Sequence, residues 1–438
     1  MPQIEPKILK GFRDFLPERQ IARERMIEAI KSSYRTFGFE PLETPALEYA
    51  EVLTGKYGDE GDKLMYRFRD NGDRDVALRY DLTIPLARVV AMNGDLKKPF
   101  KRYQVSPVWR AENTQKGRFR EFYQCDADIV GSTSPLADAE ILALAAGTLQ
   151  KLGVKASDFV VRVNSREIIS AFYDSLGLSA EEKVAAIRAV DKIDKIGKEG
   201  VAEELAKAGI KPALVEQVAA FAETSIDGIE NVAELEEVAQ AFPSVRVPLK
   251  RLVAIVEMAY ELAEARFVID FSIARGLDYY TGLIFETNLT ALPAFGSVLS
   301  GGRYDGLVGM FSGRQVPAVG ASIGLDRLYA ALEELGLIAP ARSTARALIV
   351  NLDESLTDDY LELASDLRAA GVNAILYFEP GDMKKQLGYA SDKGIPYALI
   401  YGPNEAKEGK VVVKDMERGT QETMRLNEIT SYIGRNNE

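Results

Sequence analysis

Four arginines, Arg110, Arg275, Arg303 and Arg327, stand in separate short strings, each beside a carboxylate or a glycine. A guanidinium is planar, permanently charged and able to donate two parallel hydrogen bonds, so four together would suit a polyphosphate. Each alone equally fits a turn, a cap or a strand end. A denser group lies between Lys97 and Arg120, where Lys97, Lys98, Lys101, Arg102, Arg110, Lys116, Arg118 and Arg120 face a single acid, Glu112. That window is read as a basic loop joining two strands. It is either a solvated surface or, because it runs into the polar-aromatic string "RFREFYQCD", a phosphate- or RNA-binding loop.

The remaining chemistry is bounded by what the chain lacks. Its 438 residues contain no histidine and one cysteine, Cys125. A Ser-His-Asp triad, a Cys-His dyad, a histidine-ligated metal, an internal disulfide and a thiolate zinc cluster are thereby excluded. Reaction must run on carboxylates, Lys, Arg, Tyr, backbone amides or a hard cation held by oxygen. There is no G-x-x-x-x-G-K-[ST] loop. The ten glycines between Gly276 and Gly324 form no strand–GxGxxG–helix unit, so a nucleotide would have to be held by arginines. Cys125, with no histidine partner, reads as a buried structural residue.

The elements that must position these groups follow from periodicity. Ile21, Met26, Ile27, Ile30, Tyr34 and Phe37 make one helical stripe, closed by Gly38, with Pro41 and Pro45 forcing an extended segment. "YQVSPVW" and "FYQCDADIV" read as an antiparallel hairpin with a long connection. Residues 165–265, rich in Ala, Glu, Lys and Leu, read as a helical insertion, after which "FVIDFSIARG" and "YTGLIFETNL" return to strand patterning. Beyond 341–346 strand-like and helix-like runs alternate, with helices around 357–370 and 383–393. This predicts a small α/β domain with a mostly parallel sheet. With 47% hydrophobic and 27% charged residues, the chain is expected to form two or three domains. No apolar run nears the roughly 20 residues of a membrane span. The N-terminal string has no apolar core, so neither signal nor transit peptide is expected, and a reducing cytosol is. The net charge of −12 excludes a uniformly basic coat but not a local basic surface.

Several strings resemble class II aminoacyl-tRNA synthetases. "FGFEPLETPALEYAEVL" (37–53) is similar to the dimer-forming motif 1, "YQVSPVWRAENTQKGRFREFYQCDADIVG" (103–131) to motif 2, and "VGASIGLDRL" (319–328) to motif 3. "KGFRDFLP", "RGLDYYTGLIFE" and "SGGRYDGL" resemble signatures of the histidyl-tRNA synthetase family, and 345–434 resembles its anticodon-binding domain. The resemblance implies an α+β catalytic domain with an antiparallel sheet (1–164 and 266–340), a helical insertion (165–265) and a C-terminal α/β anticodon-binding domain (341–438).

The same resemblance implies roles. Arg110 would grip the ATP α-phosphate with Glu112 near the adenosine or its amino group, Arg327 the γ-phosphate, and Arg275 the α-phosphate where other class II enzymes place a metal. Asp81, Thr83 and Gln124 would hold the α-ammonium of histidine. Asp128, either tyrosine of the Tyr279/Tyr280 pair and Tyr304 would read the imidazole. Asn113, Gln115, Lys116 and Arg118 would meet the tRNA acceptor stem. Asp stands at 81, 128 and 326, where the family often carries Glu. ATP with Mg²⁺, histidine, histidine tRNA and a second copy of the chain are the implied partners. The rival is a synthetase-like regulatory subunit of ATP phosphoribosyltransferase; such paralogues lack the anticodon domain and usually lose arginines that this chain keeps.

Overall fold

The apolar stripe near the N-terminus forms the helix Pro17–Thr36, and Gly38, at φ 76°, turns the chain out of it in the left-handed region that glycine tolerates. The computed structural model describes residues 4–55, 58–114, 117–274 and 279–435. The chain divides into two compact units, Met1–Arg13 with Met26–Leu337, and Asp14–Arg25 with Ile338–Glu438.

The first unit is built on a nine-stranded sheet. Its strands are β1 (Glu40–Pro41), β2 (Phe100–Trp109), β3 (Glu121–Val130), β4 (Phe159–Ser165), β5 (Ser225–Asp227), β6 (Arg266–Asp270), β7 (Leu283–Leu289), β8 (Ser297–Arg303) and β9 (Ala318–Gly324). They lie in the order β1-β2-β3-β9-β8-β7-β4-β6-β5. The central run from β2 to β4 is wholly antiparallel; only β1 with β2 and β4 with β6 pair parallel. The hairpin read from the sequence is β2–β3, in register from Phe100 opposite Val130 to Trp109 opposite Glu121.

Side chains alternate between the faces of each strand. On β3 one face carries Cys125, Ala127 and Ile129, all buried. Helices cover the sheet there: Pro135–Lys151 packs against β3, β8 and β9, and Ser33 of the first helix hydrogen-bonds Thr148 at 2.9 Å. Tyr34 donates to the Cys125 carbonyl oxygen, which places Cys125 in this packed layer. The other face of β3 carries Gln124, Asp126 and Asp128, and these are polar yet also buried. Such a face requires partners, and it organises the site.

The 165–265 stretch is helical as read, with six helices from Arg166–Ser175 to Arg246–Leu262 and one short strand, β5, at the sheet edge. It falls in the same compact unit as the sheet. A small sheet of Leu47–Tyr49, Arg67–Arg69 and Asp75–Leu78 was not apparent from the sequence.

In the second unit the strands Ala347–Val350, Ala374–Leu376 and Tyr397–Ile400 pair parallel, with the helices Thr357–Ala369 and Met383–Asp392 between them. Lys410–Asp415 and Gln421–Arg425 then add antiparallel. The sheet is therefore mixed and not mostly parallel, because a five-residue connection allows only a hairpin.

Candidate active site

Strand register lays polar residues in rows across the inner face of the sheet. Asp128 on β3 stands between Arg102 on β2 and Gly320 on β9, and Gln104, Asp126 and Ser322 form the next row. Glycine is required beside the first row. A Cβ at Gly320 would lie 2.0 Å from Asp128 Oδ1, and one at Gly301 2.1 Å from the Gly320 carbonyl oxygen. The glycine-rich strands thus leave room for carboxylates to lie against the backbone.

Arg102 is 0% exposed and pairs with Asp128 at 2.8 Å. It also donates to the Leu82 carbonyl oxygen. Tyr304 donates its hydroxyl to Asp128. Burial raises the Asp128 carboxyl, opposed by the Arg102 charge and the Tyr304 hydrogen bond. Burial pushes Asp126 up to about 7, against the pull of Arg102 and with a further push from Asp128. The phenols of Tyr280 and Tyr304 are raised chiefly by burial and then by Asp128.

A stability consequence follows from Asp126. The unfolded carboxyl releases its proton near 3.8 and the folded one near 7. Between those values the folded state binds more protons, so stability is expected to fall as pH rises through that window. Denaturant midpoints measured across it should show the decline, and Asp126→Asn should lessen it. An unchanged slope in that variant would place the proton elsewhere.

Above this floor opens a cavity of about 410 Å³. Its walls include Asp81, Thr83, Gln124, Tyr279, Tyr280, Arg110, Glu112, Arg118 and Arg327. Asp81 Oδ1 accepts from the backbone N–H groups of Thr83 and Ile84, where the helix Thr83–Met92 begins. Tyr279 packs edge-on to Tyr280 and to Tyr304, with ring centroids 5.2 and 5.8 Å apart. Arg110 donates Nε to the Tyr80 carbonyl oxygen at 3.0 Å, and its guanidinium carbon lies 4.3 Å from the Tyr80 ring centre. Beside it Trp109 donates to Glu121 at 2.7 Å. Arg327 donates to the Ser297 carbonyl oxygen at 2.7 Å. Asp326 accepts from Arg13 at 2.6 Å and from the Tyr123 N–H at 2.9 Å, tying the start of the helix Leu325–Glu334 to β3 and to the N-terminal string.

The family model described as "Histidyl-tRNA synthetase" matches residues 11–328, and that described as "Anticodon binding domain" matches 346–436. The chain belongs to the histidyl-tRNA synthetase family. It is 44% identical to the "Histidine--tRNA ligase" of Rhodopirellula baltica over 417 residues, covering 94% of each chain. The crystal structure of the histidyl-tRNA synthetase from Nostoc superposes with a TM-score of 0.88 at 35% identity, covering 99% of this chain and 100% of that one. A Bacillus halodurans structure named both as an ATP phosphoribosyltransferase regulatory subunit and as a histidyl-tRNA synthetase shares the fold, with a TM-score of 0.74 at 23% identity over 88% of this chain and 97% of that one.

Within this histidyl-tRNA synthetase family member, Asp81, Thr83, Arg110, Glu112, Arg118, Gln124, Tyr279, Tyr280 and Arg327 border one cavity, and Asp128 and Tyr304 meet beneath it. Arg118 lies in the cavity wall, 3.8 Å from Glu112. Asn113 is exposed on the loop and is not among the cavity residues. Arg275, Gln115 and Lys116 lie outside the described residues.

Two sequence readings require correction. The basic window is not one loop: Lys101 and Arg102 belong to β2, where Lys101 pairs with Glu140 and Arg102 with Asp128. Arg303 does not face a polyphosphate site. It is buried on the opposite face, donating to Asp138 at 2.9 Å and to the Ser132 carbonyl oxygen at 2.9 Å. The sequence did not single out Ser322 in the cavity wall, or Arg102 and Asp126 buried on the same face of the sheet; for Asp126 alone the period-two alternation of charged residues in "YQCDADIV" was a signal.

Proposed function

We propose that this cavity activates L-histidine with ATP, forming histidyl-adenylate and pyrophosphate, and passes the histidyl group to the 3′ end of histidine tRNA. The observation that carries the reading is the juxtaposition, in one cavity, of an ammonium-binding set with two arginines beside it. Asp81, Thr83 and Gln124 would hold the α-ammonium. Asp128 and Tyr304 beneath, with Tyr279 and Tyr280 in the wall, would recognise the two imidazole nitrogens. Arg110 would grip the α-phosphate of ATP, with Glu112 near the adenosine or its amino group, and Arg327 would bind the γ-phosphate. Arg275 keeps the α-phosphate role that the family motif gives it.

The chemistry suits a chain without histidine. The attacking group is the substrate carboxylate, ionised at neutral pH, so no general base is needed for adenylation. The attack forms a C–O–P link at the α-phosphorus and expels pyrophosphate. What remains is alignment and stabilisation of charge on phosphate oxygens, which fixed guanidinium groups provide. Among the described residues no group of three acidic side chains could hold a metal ion. Mg²⁺ would enter on the nucleotide's own phosphate oxygens.

Asn113, Gln115, Lys116 and Arg118 would meet the acceptor stem, and residues 346–436 the anticodon. A second copy of the chain would cover the motif 1 region, where Leu47 and Tyr49 are exposed apolar side chains. No helix among the described residues is long and apolar enough to cross a membrane, and a cytoplasmic location is part of this proposal.

ATP–pyrophosphate exchange with each amino acid in turn tests the assignment. Exchange with histidine alone is expected. Absence of exchange at any histidine concentration would return the chain to the regulatory-subunit reading.

A further inference from the structure

The string "KGFR" (10–13) contributes no side chain to the cavity wall, yet it is bonded to both segments that carry the phosphate arginines. Gly11 accepts the Arg120 backbone N–H at 2.9 Å, and the Arg120 carbonyl oxygen accepts the Arg110 N–H at 2.9 Å. Arg120 lies so close over Gly11 that a Cβ there would stand 2.6 Å from Arg120 Cγ. Two residues on, Arg13 donates to Asp326 at 2.6 Å, immediately before Arg327. Its guanidinium carbon also stands 3.2 Å from the centre of the Phe119 ring, and Phe119 lines the cavity.

These contacts fix positions that the local chain leaves open. Asp326 is 5% exposed and sits in the first turn of the helix Leu325–Glu334. With one oxygen on Arg13 and the other on the Tyr123 N–H, it holds that turn against rotation. Arg327 follows in the same turn, with its guanidinium on the Ser297 carbonyl oxygen. The connection between β2 and β3 passes close by: a Cβ at Gly117 would stand 3.7 Å from Arg327 Cα. Arg13 therefore lies between Phe119 of that connection and Asp326 of the helix, and it spaces the two. A guanidinium can do both at once, because its edge donates hydrogen bonds while its flat face stacks on a ring.

We propose that Arg13 is a positioning residue that seats the start of the helix Leu325–Glu334 against Phe119, and so sets where Arg327 meets the terminal phosphate of the nucleotide. The inference rests on the reading of Arg327 as a γ-phosphate group. A terminal phosphate held equally in the ground and transition states contributes to binding and not to the rate of the chemical step. The signature therefore belongs in the KM for ATP. At the amino-acid set, Asp81 is held by the Thr83 and Ile84 N–H groups and Gln124 by Ser322, so that set should stay in place.

The test is pyrophosphate exchange by the full-length chain, with ATP and histidine varied separately. Arg13→Ala is expected to raise the ATP KM by roughly tenfold, the scale of one hydrogen bond to a charged group. The histidine KM and kcat should stay within about twofold, a change worth less than one ordinary hydrogen bond. Asp326→Asn, which loses the charge and one of the two acceptors, should give the same selective rise. Arg13→Lys keeps the ion pair without the flat stack and should recover part of it. In an Arg327→Ala background Arg13→Ala should add little, since the two would act through one contact. An unchanged ATP KM in both Arg13→Ala and Asp326→Asn would overturn the proposal. So would equal rises in both KM values, or a full additional effect in the Arg327→Ala background. If Arg13→Ala does not fold, Arg13→Lys and Asp326→Asn decide alone. Arg327→Ala with a normal ATP KM would instead overturn the γ-phosphate reading beneath the proposal, an outcome distinguishable from the others.

Discussion

Replacing Arg110 with alanine is expected to lower kcat for pyrophosphate exchange by about 10²–10³-fold while changing the histidine KM far less. The guanidinium is held before any ligand arrives. Nε is fixed on the Tyr80 carbonyl oxygen, and the Tyr80 and Phe122 ring centres lie 4.3 and 5.2 Å from the guanidinium carbon. A donor oriented in advance stabilises charge that grows on the α-phosphate oxygens without reorganising when it appears. Arg110→Lys keeps the charge but not the planar fork, so only partial recovery is expected. Fold stability should change by about 1 kcal/mol or less, the scale of a part-exposed cation–π contact. Wild-type exchange by the alanine variant would show that Arg110 does not touch the reacting phosphate.

The largest effect on stability is expected at Arg102. Arg102→Met should destabilise the protein by about 3–5 kcal/mol above neutral pH, measured as a shift in denaturant midpoint. The methionine fills much of the volume, so the loss is electrostatic. Asp126 and Asp128 would remain buried on adjacent rows of one strand with their shared cation removed. Both would take up protons to relieve this, and the deficit should shrink as the pH falls below about 7, where Asp126 is already protonated. Joint replacement, Arg102→Met with Asp128→Leu, should recover part of the loss, because a matched apolar pair leaves fewer charges unpaired. An Arg102→Met variant as stable as wild type at alkaline pH would mean that the pair contributes nothing.

The legible features were those with a strong local code. The first helix has a stripe and a glycine stop. The β2–β3 hairpin alternates apolar and polar residues, and the helical stretch 165–265 is compositionally distinct. Nine of the cavity residues stand in short strings that resemble the family's motifs. What escaped had no local code. Arg102 was counted with its basic neighbours because charge in a sequence window says nothing about which face of a strand it occupies. Arg303 sits in a string as suggestive as that of Arg327, yet it lies on the other face of the sheet, against Asp138. The strand Gln421–Arg425 is largely exposed, so it carries no apolar alternation, and without it the second sheet read as parallel. In each case the deciding partner is distant in sequence, and only the assembled sheet supplies it.

Trp109 is the only tryptophan in the chain. Its indole is anchored on Glu121, its ring centre is 5.9 Å from the Arg79 guanidinium carbon, and its backbone leads directly into Arg110. One intrinsic fluorophore therefore stands next in sequence to a cavity residue, Arg110. With red-edge excitation that spares the tyrosines, its emission would report any shift of Arg110 and its surroundings when a nucleotide is added. Binding could then be separated from turnover in stopped-flow records, with no dye and no added label.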